Sequence, residues 1–126
     1  MTREIEEAVQ AHAGIAEVAV VGVADPVKGQ VPVAFAVVKD AQRVATEETA
    51  RTMRQEVLDT VDRELGPIAR PAHVHFVALL PKTRSGKLLR RSIAALAEGR
   101  DPGDLTTIED PGALDEIRDA LAASRS

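Results

Sequence analysis

Pro81-Lys82-Thr83-Arg84-Ser85-Gly86-Lys87, followed by Leu88-Leu89-Arg90-Arg91, is the stretch of this sequence best equipped for chemistry. An apolar run, His75 to Leu80, leads into it, and Pro81 stops the run. Ser85 and Gly86 make a tight turn of small residues. The spacing of Leu88, Leu89, Ile93 and Leu96 predicts a helix from Lys87 to about Glu98, with Lys87 at its start. The helix dipole favours anions at that end, so helix stability does not explain a cation there. The ammonium is then available to an anion such as phosphate or carboxylate, offered from a surface loop. Ser-Gly-Lys shares its ending with the phosphate-binding P-loop, but that motif needs an earlier glycine and a Ser or Thr directly after the lysine. Here no glycine precedes Gly86 in the stretch, and Leu88 follows Lys87. These residues alone leave two readings, an anion-binding lysine or a solvated basic loop.

Other residues invite weaker readings. His73 and His75 lie at i, i+2 on one strand face and could share a metal, but no carboxylate, Cys or third His is near in sequence. Solvent-facing strand histidines are the expectation. His12 falls at a helix end, Lys28 in a turn, and Arg63 in the last turn of a helix, where a cation suits the dipole.

The elements that must position these residues read off in order. Residues 2 to about 12 form a helix, capped by Thr2, with Ile5, Ala8 and Val9 on one face and His12-Ala13-Gly14 at its end. Ile15 to Ala24 is a Val-rich strand buried on both faces. Asp25 to Gln30 is a turn, and Val31 to Val38 returns as an antiparallel strand. Thr46 to Thr49 has cap character and opens a helix to about Leu65, whose core face is Met53, Val57, Val61 and Leu65. Gly66-Pro67 stops it. His73 to Leu80 is the third strand. Gly99 to Pro111 is an extended tail, and Ala113, Leu114, Ile117, Ala120 and Leu121 mark a final amphipathic helix, with Ser124-Arg125-Ser126 frayed. The order α-β-β-α-β-α plus tail predicts a small α+β domain: a three-stranded sheet flanked by helices, with a short extra hairpin that has no assigned place.

Composition bounds the partners. The 126 residues suffice for one modest core, which Val, Ala, Leu and Ile must build because aromatics are only 2%. The absence of cysteine excludes disulfides and thiolate metal sites and fits a cytoplasmic protein. No apolar run is long enough to span a bilayer. A net charge of −4 argues against a nucleic-acid binder, and the basic cluster from Lys82 to Arg91 lacks interleaved aromatics that stack bases.

Leu80-Pro81-Lys82-Thr83-Arg84-Ser85-Gly86-Lys87 with Leu88-Leu89-Arg90-Arg91 resembles the C-terminal signature of the acyl-adenylate-forming enzymes, the superfamily of acyl-CoA synthetases, peptide-synthetase adenylation domains and luciferases. Glu4-Ile5-Glu6 with Val9, the strand Ile15 to Val23, Asp25-Pro26 and Lys28-Gly29-Gln30 resemble that family's small C-terminal domain. The tail from Glu98 to Pro111 is similar to that of the short-chain members, the acetyl- and, more so, the propionyl-CoA synthetases.

The resemblance implies a reaction in which a carboxylate attacks the α-phosphate of ATP, releasing pyrophosphate, and the CoA thiol then attacks the acyl-adenylate. It implies that Lys87 is the adenylation lysine, aimed by a loop set by Pro81, Ser85 and Gly86, and also the target of reversible acetylation by an acetyltransferase and a deacetylase. It places Lys28 and Gly29 where nucleotide or CoA binds in the second step. It puts a CoA-phosphate arginine in the last turn of the long helix, where Asp62 falls at the register and Arg63 lies one residue later. It likens the His12 turn to a Mg2+ site built from a His and main-chain oxygens. It also implies a larger ATP- and acid-binding domain preceding this one, absent here. Because Thr2 begins in mid-motif, the chain is expected to be an excised C-terminal domain, inactive alone, with Met1 supplied for expression.

Overall fold

The computed structural model describes residues 1–125. Its helices are α1 (Thr2–Gln10), α2 (Glu47–Leu65), α3 (Arg90–Ala97) and α4 (Gly112–Arg125), and its strands are β1 (Ile15–Asp25), β2 (Gly29–Val38) and β3 (His73–Phe76). The three strands form one sheet in the order β1-β2-β3, with β1 antiparallel and β3 parallel to β2. The expected α+β architecture is borne out. Among the described residues no helix is long and apolar enough to cross a membrane.

The double-sided burial of β1 follows from its valines. Successive side chains of a strand point to opposite faces. Val18 and Val20 join Ile5, Val9, Met53 and Val57 under α1 and α2. Ala19 and Val21 join Phe35, Ile93 and Ile117 under α3 and α4. Each buried Val or Ile contributes about 1.5–3 kcal/mol, so two thin cores replace the aromatic one this composition lacks.

A three-stranded sheet has two free edges, and charged side chains engage backbone groups on both. On β1, the Val20 N–H donates to Glu6 Oε2 at 2.9 Å and the Ala24 N–H to Glu98 Oε2 at 2.6 Å. On β3, Arg54 Nε donates to the Val74 carbonyl at 3.1 Å. Just past it, the Ala78 N–H donates to Glu116 Oε1 at 2.7 Å. Edge groups so engaged are unavailable to a foreign strand. Glu6 is only 9% exposed, and Arg90 holds it with two bonds, Nε to Oε2 at 2.8 Å and Nη2 to Oε1 at 2.7 Å. Burial opposes its charge, but Arg90 and the Val20 N–H outweigh that and keep the Glu6 carboxyl below its ordinary range.

Several boundaries differ from expectation. Met1, not Thr2, occupies the N-cap of α1, and no side chain caps it. Thr46 and Thr49 do form a reciprocal cap on α2. Leu65 is exposed, because Gly66, at φ +90°, turns the chain away immediately after it. β3 ends at Phe76, its ladder closing with the Val77 N–H on the Ala36 carbonyl, so Ala78 to Leu80 run outside the sheet. Helix α4 continues through Ser124 to Arg125, and Ser126 lies outside the described residues.

His75 is buried rather than solvent-facing. Its ring stacks on Phe35, with centroids 5.0 Å apart, and on His73 at 5.9 Å. Parallel pairing of His75 with Phe35 sets it over the second core. Burial foremost, then the charges of His73 and Arg54, lower its pKa from 6.5 to about 4.

Two stability predictions follow from these buried groups. Glu6→Ala leaves Arg90 and the Val20 N–H without a partner and is expected to lose about 2–3 kcal/mol in urea denaturation. A loss below about 0.5 kcal/mol would contradict the role given to the pair. His75 has a folded pKa depressed below its unfolded value, so its contribution is complete above pH 6.5 and lost as pH falls towards about 4. Over that window the chain should lose up to about 3 kcal/mol that a His75→Phe chain retains. Parallel pH–stability curves for the two would refute this.

Candidate functional site

Lys87 does not open a helix. It lies on the return strand of a small hairpin, and α3 begins three residues later at Arg90. The hairpin not assigned a place from sequence is this one. The Leu89 N–H donates to the Pro81 carbonyl at 3.0 Å, Lys82 bridges Leu88, and the Thr83 N–H donates to the Lys87 carbonyl at 2.9 Å. The Gly86 N–H closes the turn on the Thr83 carbonyl at 2.8 Å. Gly86 has φ +90°, a left-handed residue that ends the four-residue turn, which is how three-residue hairpin loops close. The leucine spacing satisfied a helix pattern, but the backbone groups of Lys87 and Leu89 bond across the hairpin instead.

Pro81 is buried at the base, whereas Ser85, Gly86 and Lys87 are exposed at the tip. The Lys87 N–H donates to Thr83 Oγ1 at 3.1 Å, and that hydroxyl shares a hydrogen bond with Ser85 Oγ at 3.0 Å. The tail is not loose. Ile108 is buried and bridges Thr83, the Glu109 N–H donates to the Lys82 carbonyl at 2.9 Å, and the Arg84 N–H to the Thr107 carbonyl at 3.2 Å. Residues 107–109 therefore add a third short strand to the hairpin.

The charges around the hairpin divide into anchors and free groups. Lys82 pairs with Glu17 near the start of β1, and Arg90 with Glu6. Among the described residues Lys87 and Arg91 form no ion pair. They line, with Arg3 and Arg90, an open cleft of about 470 Å³ beside the hairpin. An unpaired ammonium at a braced tip beside a basic cleft can receive an anion without first breaking an internal bond.

Lys28 and Arg63 lie elsewhere. Lys28 is exposed in the β1–β2 turn, where Asp25 Oδ2 accepts the Val27 and Lys28 N–H groups at 3.0 and 2.8 Å. Those bonds hold the Asp25 carboxyl below its ordinary range. Gly29 follows at φ +83°. Arg63 is exposed in the last turn of α2, while its neighbour Asp62 is bound by Arg70 through two hydrogen bonds. Parallel pairing of β3 with β2 brings the end of α2 to the same end of the sheet as the Lys28 turn. The Lys82–Glu17 pair ties the Lys87 hairpin to the other end, roughly 25 Å away along β1 at about 3.3 Å per residue.

The His12 ring does not fit a Mg2+ ligand. Its Nδ1 accepts the Gly14 N–H at 2.8 Å, so Nε2 carries the proton that meets Glu56 Oε1, also at 2.8 Å. Arg43 binds the same carboxylate oxygen at 2.6 Å. Both ring nitrogens are occupied, and among the described residues no cluster of three or more His, Cys, Asp or Glu could hold a metal. Sequence reasoning missed Glu6, Thr83 and Ile108. Thr83 had a local signal, a hydroxyl residue three before a turn glycine. Glu6 had none, since its partner lies 84 residues away.

Comparison with known proteins agrees with this geometry. Residues 4–87 match the model of the AMP-binding enzyme C-terminal domain. The chain is 56% identical over 120 residues to a propionate–CoA ligase of Escherichia coli, covering 95% of this chain and 19% of that protein. It is 47% identical over 119 residues to an acetyl-coenzyme A synthetase of Pyrobaculum arsenaticum, covering 94% and 17%. It thus spans about a fifth of the length of the curated relatives it matches. Among solved structures, a Brucella canis acyl-CoA synthetase superposes with a TM-score of 0.60 at 34% identity, covering 69% of this chain and 15% of that one. The amide bond synthetase McbA of Marinactinospora thermotolerans gives 0.62 at 28%, covering 75% and 18%. A sheet of this topology carrying an exposed lysine on a braced hairpin, with these likenesses along nearly its whole length, belongs to the family of AMP-binding enzyme C-terminal domains.

Proposed function

We propose that this chain is the mobile C-terminal domain of an acid–CoA ligase that converts a short carboxylic acid, ATP and CoA to acyl-CoA, AMP and pyrophosphate. Propionate is the favoured acid, from the similarity to propionate–CoA ligases, and acetate the second. The observation that carries the reading is the exposed, unpaired Lys87 ammonium on a hairpin tied down at its base. ATP enters with its Mg2+, and no residue of this chain is assigned to the metal.

In the first step a carboxylate oxygen bonds to the α-phosphorus and pyrophosphate leaves. Two anions must meet, and unit charges 4 Å apart repel by about 4 kcal/mol at an effective dielectric of about 20. A lysine beside both offsets that repulsion and the charge that develops on the phosphoryl oxygens. In the second step the CoA sulfur bonds to the acyl carbon, its proton is lost, and AMP leaves. The opposite end of the sheet, with Lys28, Gly29 and Arg63, is the face we assign to nucleotide or CoA at that stage. The distance between the two groups supports a domain that reorients between steps, with a larger ATP- and acid-binding domain as its partner. On this reading the domain alone is inactive.

In the intact ligase, Lys87→Ala should slow acyl-adenylate formation about 10³-fold, the factor about 4 kcal/mol represents. Thioester formation from supplied acyl-adenylate should be spared. Equal loss in both half-reactions would refute the assignment.

The same exposure favours a second reading, in which Lys87 is acetylated by a protein acetyltransferase and restored by a deacetylase. Acetylation removes the charge and would stop adenylation. Treating the chain with acetyl-CoA and an acetyltransferase should modify Lys87 ahead of Lys82, whose ammonium is paired with Glu17. Equal labelling at both, read by mass spectrometry, would exclude it.

A further inference from the structure

We infer that Thr83 is a positioning residue for Lys87, fixing through its hydroxyl where the lysine backbone sits. The inference rests on the proposed role of Lys87. Thr83 engages both main-chain polar groups of that lysine. Its N–H donates to the Lys87 carbonyl at 2.9 Å, and its Oγ1 accepts the Lys87 N–H at 3.1 Å. The second contact is the unusual one. Beyond the left-handed Gly86, the Lys87 amide finds its acceptor in the Thr83 side chain rather than in the Thr83 main-chain carbonyl, which takes the Gly86 N–H. Ser85 Oγ, 3.0 Å from the same hydroxyl, steadies it.

Thr83 is itself held from the other side. The Glu109 N–H on the Lys82 carbonyl and the Arg84 N–H on the Thr107 carbonyl flank it, and the buried Ile108 pairs with it. It is therefore the middle residue of a three-stranded patch, with Lys87 on one side and the tail on the other. A β-branched residue there has few rotamers, so the hydroxyl stays aimed. The arrangement confines the freedom of Lys87 to its side chain. The Cα is fixed while the ammonium can still follow a moving phosphate. Small displacements of a reacting group can cost large factors in rate, so the hydroxyl acts on catalysis through Lys87 without touching substrate.

Thr83→Val removes the hydroxyl and keeps the branch, and Thr83→Ser keeps the hydroxyl. In the 126-residue chain, hydrogen exchange at the Lys87 amide should quicken by about tenfold in Thr83→Val and stay near the parent in Thr83→Ser, with core amides unchanged. In the intact ligase, Thr83→Val should lower kcat for ATP–pyrophosphate exchange about tenfold. KM for acid and ATP should move less than about twofold, and thioester formation from supplied acyl-adenylate should be unaffected. Thr83→Ser should recover most of the loss. Parental exchange kinetics in Thr83→Val beside an inactive Lys87→Ala would overturn the positioning role and leave the lysine's role standing. An active Lys87→Ala would overturn both.

Discussion

One carboxylate joins the parts of this domain that must not move relative to one another. Glu6, on the first helix, accepts the Val20 N–H from the free edge of β1 and is gripped by the Nε and Nη2 groups of Arg90, the first residue of α3. The strand edge needs an acceptor, the buried carboxylate needs a cation, and the guanidinium needs a planar pair of oxygens. Each group removes the cost of burying another. Arg90 stands three residues beyond Lys87, so the same contact fixes the base of the hairpin against the sheet. Lys82, bound to Glu17, secures the other strand. The cations of the basic stretch thus divide by role: Lys82 and Arg90 tether the hairpin, while Lys87 at its tip and Arg91 beside the cleft form no ion pair among the described residues.

That division explains how a rigid domain can present an adaptable group. Main-chain bonds and the tail strand at Ile108 immobilise the hairpin, while the lysine side chain keeps its rotamer freedom. The opposite end of the sheet has its own exposed turn, shaped by Asp25 and Gly29. On the proposed reading, a body with distinct chemistry at its two ends serves a two-step reaction by turning, without refolding.

Much of this was legible in the residues. The valines of β1 predicted burial on both faces, and the spacing of Met53, Val57 and Val61 predicted the core side of α2, because periodicity records which face meets the core. Thr46 with Thr49, and Gly66-Pro67, marked the ends of α2 through local bonds and backbone preference. The resemblance around Lys87 singled out the lysine for proposal, but did not give its setting. Leu88, Leu89, Ile93 and Leu96 satisfy a helical pattern equally well when the first two finish a hairpin. His75 looked exposed by alternation with Val74, yet on a strand packed on both faces alternation does not separate core from solvent. Glu6 with Arg90 and Thr83 with Ile108 were beyond reach, since their partners meet only after the chain has closed its cores.

The central claim is that a positive charge at the tip of this hairpin drives acyl-adenylate formation. The chain has no cysteine, so Lys87→Cys would give a single handle within it. Alkylating that thiol with bromoethylamine rebuilds an ammonium at nearly the same reach, and iodoacetamide adds a neutral group of similar size. In the intact ligase the aminoethylated protein should recover ATP–pyrophosphate exchange by at least about a hundredfold over the unmodified variant, and the amide-capped one should not. Equal recovery with both reagents, or none with either, would contradict the account.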